Sequence, residues 1–163
     1  MIFAQAAFVV LLLAAAASDL MYYRIPNLLV LALAGAFVVW AIFAHVAWLG
    51  HLGASGLCLA GGVVLYLLGQ MGAGDVKLLS AVALWTGLNG LLALLLYVSL
   101  SGLLALPLLL LARSLVVRAQ AHNVWKAEWT VPRILTKKQG VPYGVAIALG
   151  GILVMVFYPA SFN

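Results

Sequence analysis

The sequence predicts an all-α, polytopic membrane protein, and three observations carry that expectation. Hydrophobic residues make up 67% of the chain and charged residues 7%, with a mean hydropathy of +1.25. A soluble globule of 163 residues needs more polar surface than that. Apolar runs of about 20 residues, the length that spans ~30 Å of hydrocarbon, recur between short polar or Gly/Pro breaks. All eight Lys and Arg residues then fall on one side of the spans so defined, as the charge bias of cytoplasmic loops requires.

About six spans fit the pattern, at roughly 2–20, 27–45, 52–70, 74–90, 91–112 and 141–158. Together they form one membrane domain over 1–163, with no room for a separate soluble one. The first run ends at Asp19; Pro26 prevents its continuation and Asn27 is placed to cap the second helix. The segments 45–51 and 86–90, which join spans on the opposite side, carry no basic residue. The fourth span is short. Between Asp75 and the turn-like Thr86-Gly87-Leu88-Asn89-Gly90 there are too few residues to cross the hydrocarbon at about 1.5 Å each, so its helix is expected to start below the membrane surface. The last span opens at Val141-Pro142-Tyr143-Gly144.

Orientation follows from Arg24, Lys77, Arg113, Arg118, Lys126, Arg133, Lys137 and Lys138, which mark the cytoplasmic side. Both termini are then expected to be external, in a bacterial inner membrane. The loop 113–140 is expected to be cytoplasmic and to rest on anionic headgroups, with Trp125 and Trp129 sharing the face of a short interfacial helix. The bilayer accounts for the net charge of +5, so no nucleic-acid partner is expected. Residues 1–18 end in small alanines like a signal peptide but lack its basic start, and they read as a first membrane helix. No internal repeat of the kind found in many transporters is visible.

Chemistry is concentrated in the acids. The chain has three acidic residues, and two of them, Asp19 and Asp75, fall at the inner ends of spans on the same side of the membrane. A carboxylate at membrane depth costs several kcal/mol unless paired, hydrated or protonated, so its presence marks a use. Asp75 also fits the N-cap of the fourth helix, an ordinary structural role. The third acid, Glu128, reads as solvated. His45, His51 and His122 have no metal-ligand spacing, and the single Cys58 lies in an apolar run, so neither a metal nor a cofactor is expected. Trp40, Trp48 and Trp85 read as belt or packing residues of the external side.

Around these acids the sequence reads Gly72-Ala73-Gly74-Asp75-Val76-Lys77-Leu78 and Asp19-Leu20-Met21-Tyr22-Tyr23-Arg24-Ile25-Pro26-Asn27. Both segments resemble the type IV prepilin peptidases. A Gly-x-Gly-Asp motif opens one membrane helix in that family, and its other catalytic aspartate precedes an Ile-Pro-Asn helix start. Val141-Pro142-Tyr143-Gly144-Val145-Ala146 is similar to the family's Pro-Tyr-Gly segment. The resemblance implies an intramembrane aspartic endopeptidase with Asp19 and Asp75 catalytic, acting on a prepilin whose basic leader meets an apolar helix. Larger members carry an additional cytoplasmic region with paired cysteines, associated with N-methylation. The sequence is more similar to the compact branch that serves tight-adherence (Flp-type) pili, for which methyl transfer is not expected.

The residues support such a site on their own terms. Gly72 and Gly74 leave space before Asp75 for a substrate backbone, and Pro142, Tyr143 and Gly144 make an interrupted helix entrance suited to lining a cavity. Lys77, one turn into the fourth helix, reads as an interfacial residue whose stem lies along apolar surface, with a supporting contact to substrate as its alternative role. One carboxyl can take a proton from water while the other polarises the scissile carbonyl. The helix ends assign Asp75 as base and Asp19 as acid. A small proton-coupled transporter would use the same two aspartates and is the alternative from a different class.

Overall fold

The computed structural model describes residues 2–121 and 142–158, and every element among them is an α-helix. In chain order these are α1 (Ile2–Tyr22), α2 (Asn27–Ala44), α3 (Trp48–Leu67), α4 (Ala73–Ala121) and α5 (Tyr143–Phe157). Four apolar segments are long enough to cross a membrane: α1, α2, α3 and the Ala73–Ala105 part of α4. The apolar α5 is shorter. Their outward faces carry large apolar side chains such as Leu31, Phe43, Leu49 and Leu92. Such a surface is stable against lipid tails and not against water.

One break divides α4. Gly87 has φ 61 and ψ −177, a backbone conformation open in practice only to glycine. The polypeptide folds back there. A Cβ built on Gly151 would lie 3.0 Å from Val82 Cγ1, and one on the adjacent Gly150 would lie 2.5 Å from Val98 Cγ2. In a straight helix Val82 and Val98 would be about 24 Å apart, so the two arms of α4 lie side by side against α5. The break falls inside the 86–90 stretch that the sequence reading takes for a turn. The turn, however, is confined to Gly87, and residues 88–90 are already helical. Between Ala73 and Gly87 the first arm rises only about 21 Å, in line with the short span expected there.

At the turn, His51 Nδ1 donates to the Leu84 carbonyl at 2.8 Å. Its ring lies 3.2 Å from where a Gly87 Cβ would stand. An aromatic cluster surrounds this end: Trp40 stacks on Trp85 at 5.6 Å, Phe8 packs on Trp85 at 5.0 Å, and Trp48 meets Phe37 edge-on at 5.9 Å. Trp85 is buried and satisfies its indole N–H on the Leu33 carbonyl at 3.0 Å, as a buried Trp must. Trp40 and Trp85 are thus core residues, while Trp48 is partly exposed.

Two expectations change. The helical backbone of α4 continues to Ala121, so 113–121 is not loop. The rest of that segment, with Trp125, Lys126, Glu128 and Trp129, lies outside the described residues, as does His122. Asn27 is the first residue of α2 and not its cap. Pro26 occupies the N-cap position with φ −60 and ψ 135 and offers no side-chain bond.

Candidate active site

Asp19 stands in the last turn of α1 and is 6% exposed. The chain leaves that helix through Tyr23, which has φ 52 and donates its N–H to the Asp19 carbonyl at 2.9 Å. A non-glycine residue in the left-handed region is unusual and needs support from its surroundings. Part of that support is local: Ser18 Oγ donates to the Arg24 carbonyl at 2.8 Å. The link to α2 is thereby tied to the helix turn that carries Asp19.

Asp75 stands in the first turn of α4 and is half-buried. It is not the cap of that helix. Its carboxylate folds back toward Gly72, the residue just before the helix. A Cβ on Gly72 would lie 2.9 Å from Asp75 Oδ2, so a side chain there would displace the carboxylate. Gly74 meets the α1–α2 link instead, with a Cβ position 3.4 Å from Ile25 Cβ. This close approach draws the start of α4 against the segment that follows Asp19.

The third expected motif completes the site from the far end of the chain. Pro142 is buried and sets the start of α5, Tyr143 is partly exposed, and Gly144 is buried. The Gly144 N–H donates to Asp19 Oδ2 at 2.8 Å. The first N–H groups of a helix have no partner within it, and here one of them is used on a carboxylate, the anion that a helix N-terminus suits. A Cβ on Gly144 would lie 2.8 Å from Asp19 Oδ2 and 3.0 Å from Ile25 Cδ1, leaving no room for a side chain.

Asp19 and Asp75 line one pocket of about 290 Å³, together with Tyr23, Arg24, Ile25 and Gly72–Gly74. Both carboxylates therefore stand at helix starts: Asp75 lies in the first turn of α4, and Asp19 accepts from the first turn of α5. This corrects the separation of acid and base by helix ends: Asp19 closes α1 but also faces the start of α5, so that argument no longer distinguishes the two. Lys77 lies outside the pocket, where its Nζ donates to Asn27 Oδ1 at 3.1 Å and ties α4 to α2.

The sequence reading missed three things: the Gly144 hydrogen bond, the tie through Ser18, and the walls formed by Tyr23, Arg24 and Ile25. Only a glycine directly after a Pro-led helix start hinted at the first. Among the described residues no three His, Cys, Asp or Glu side chains form a group that could hold a metal ion.

The structure is that of a multi-pass α-helical membrane protein in which two carboxylates from distant helices share one small pocket. The model of the type IV leader peptidase family matches residues 6–112, which include both aspartates. The chain belongs to that family. No curated protein and no solved structure matches it.

Proposed function

We propose that this protein is an intramembrane aspartic endopeptidase that removes the basic leader of type IV prepilins of the Flp type at the cytoplasmic face of the bacterial inner membrane. One observation carries the reading: Asp19 and Asp75 line a single pocket at the ends of membrane-capable helices. A pair of carboxyls in one pocket can divide the work of peptide hydrolysis. One takes a proton from the attacking water, and the other, protonated, hydrogen-bonds the scissile carbonyl and later supplies a proton to the leaving amine.

In the proposed topology α1, α2, α3, the two arms of α4 and α5 supply six spans, with both termini external and Arg24 and Lys77 on the cytoplasmic side. The basic bias supports this orientation. Hydrolysis alone is proposed, without methylation of the new amine, because the chain has a single cysteine. Substrate geometry fits the site's depth. A prepilin anchored by its apolar helix presents the leader junction near the membrane surface, where the local concentration of scissile bond is high.

The test is leader removal followed by mass spectrometry, with the protein in lipid and a type IV prepilin as substrate. Asp19→Asn and Asp75→Asn should each lower the rate by at least about 10³-fold, since neither carboxyl can perform both proton roles, while both variants keep the helical content of the wild type. Near-normal cleavage by either folded variant would refute the assignment.

A further inference from the structure

A second cavity, about 530 Å³ and mainly apolar, runs along the outside of the bundle between the end of α3, the second arm of α4 and the start of α5. Its lining includes Met71, Leu79, Ser99, Gly102, Tyr143 and Ile147. Two of these carry the argument. Met71 immediately precedes Gly72, which lines the polar pocket against Asp75, and Tyr143 immediately precedes Gly144, whose N–H holds Asp19. One end of the apolar groove therefore lies one residue from Gly72 and from Gly144, the two glycines that meet the carboxylates of the polar pocket.

The geometry points to this groove as the docking track for the substrate's own apolar helix, seated on Ser99 and Gly102 directly beyond the scissile bond. The inference rests on the proposed prepilin reading and deepens it. A leader followed by an apolar helix changes polarity once, at the cleaved junction. The protein offers the matching change: a pocket walled by Asp19, Arg24 and Asp75, then a groove walled mainly by apolar side chains, with Gln70 and Ser99 its polar members.

The dimensions agree with a helix. Along α4 the lining runs from Leu95 to Leu103, which is about 12 Å or two helical turns. Within lipid, helices associate where small residues let backbones approach. Gly102 provides this, since a Cβ there would meet only Ala146 Cβ at 3.7 Å. Ser99 is exposed and, among the described residues, its hydroxyl donates to the Leu95 carbonyl of its own helix, so no other described helix takes up either residue.

The test is cysteine crosslinking in lipid vesicles. The probe is a synthetic prepilin segment, a basic leader ending in glycine followed by an apolar helix of about 20 residues, with single cysteines in the first two helical turns. The enzyme is the full chain with Cys58→Ala, to remove the native thiol, and Asp75→Asn, to keep the substrate uncut. Ser99→Cys should crosslink to the probe at least about tenfold more than Leu31→Cys on the exposed face of α2, because only a docked helix holds a high local concentration there. Added to the active enzyme, Gly102→Phe should raise KM for the probe far more than it changes kcat.

Equal yields from both positions would overturn the inference. So would cleavage of the probe by wild type without any Ser99→Cys crosslink, which would leave the groove to lipid tails and the proposed activity intact. Crosslinking of Ser99→Cys to a second copy of the chain, undiminished by the probe, would assign the groove to self-association. Failure of the wild-type enzyme to cut the probe at all would refute the activity and the groove assignment together.

Discussion

The backbone N–H of Gly144 reaches Asp19 Oδ2 at 2.8 Å across 125 residues of sequence. This bond joins the first and last described helices at the carboxylate, and it requires glycine. A methyl group at Gly144 would stand 2.8 Å from Asp19 Oδ2, 3.1 Å from Asp19 Cβ and 3.0 Å from Ile25 Cδ1. Gly144→Ala is therefore expected to push α5 away from Asp19 and lower the cleavage rate at least about tenfold, with a stability cost of about 1–3 kcal/mol for overpacking. Rate and thermal unfolding measured on the same detergent preparation check this. Gly35→Ala, where nothing lies within 4 Å, is the control and should change neither.

At Gly74 the graded pair alanine and valine separates packing from access. An alanine Cβ would lie 3.4 Å from Ile25 Cβ, an ordinary contact, so Gly74→Ala should retain activity within about threefold. Valine adds two branches against the Ile25 segment and into the pocket wall, and should lower the rate at least about tenfold. Initial rates for the two variants beside wild type decide it. Wild-type activity in Gly74→Val would show that this contact does not set the spacing between Asp75 and the segment after Asp19.

The turn at Gly87 is expected to matter for folding and not for chemistry. Any side chain there must adopt φ 61 with ψ −177 and would meet the His51 ring at 3.2 Å. Gly87→Ala should cost about 1–3 kcal/mol through backbone strain alone. Thermal melting should fall, while the rate per folded molecule stays near wild type. A variant that melts normally would show that the fold-back does not depend on this residue.

Lys77 gives a contrasting outcome. Its ammonium group is exposed and donates to Asn27 Oδ1 at 3.1 Å, outside the carboxylate pocket. Lys77→Met keeps an unbranched stem and loses one exposed hydrogen bond, a change of less than about 1 kcal/mol. Cleavage should stay within about twofold of wild type. A loss as large as that of Asp75→Asn, in a folded protein, would place Lys77 in the chemistry.

The sequence by itself determined the class of fold and singled out the two aspartates that the fold brings into one pocket. Apolar runs of membrane length carry their signal in every residue, and scarce acids at span ends are conspicuous because lipid penalises them. It also marked Gly72, Gly74, Pro142, Tyr143 and Gly144, but as an access route and a helix entrance. Only the tertiary structure showed what those residues do: Gly144 presents a helix-start N–H to Asp19, Gly72 leaves the space that the Asp75 carboxylate occupies, and Gly74 lets α4 meet Ile25. The same holds for the acid and base roles. Helix ends along the chain separated Asp19 from Asp75, until α5 brought its own N-terminus to Asp19. Linear spacing records which residue types occur at a helix end. Which end of another helix arrives opposite depends on packing between segments more than a hundred residues apart, such as Asp19 and Gly144, and no local pattern encodes that contact.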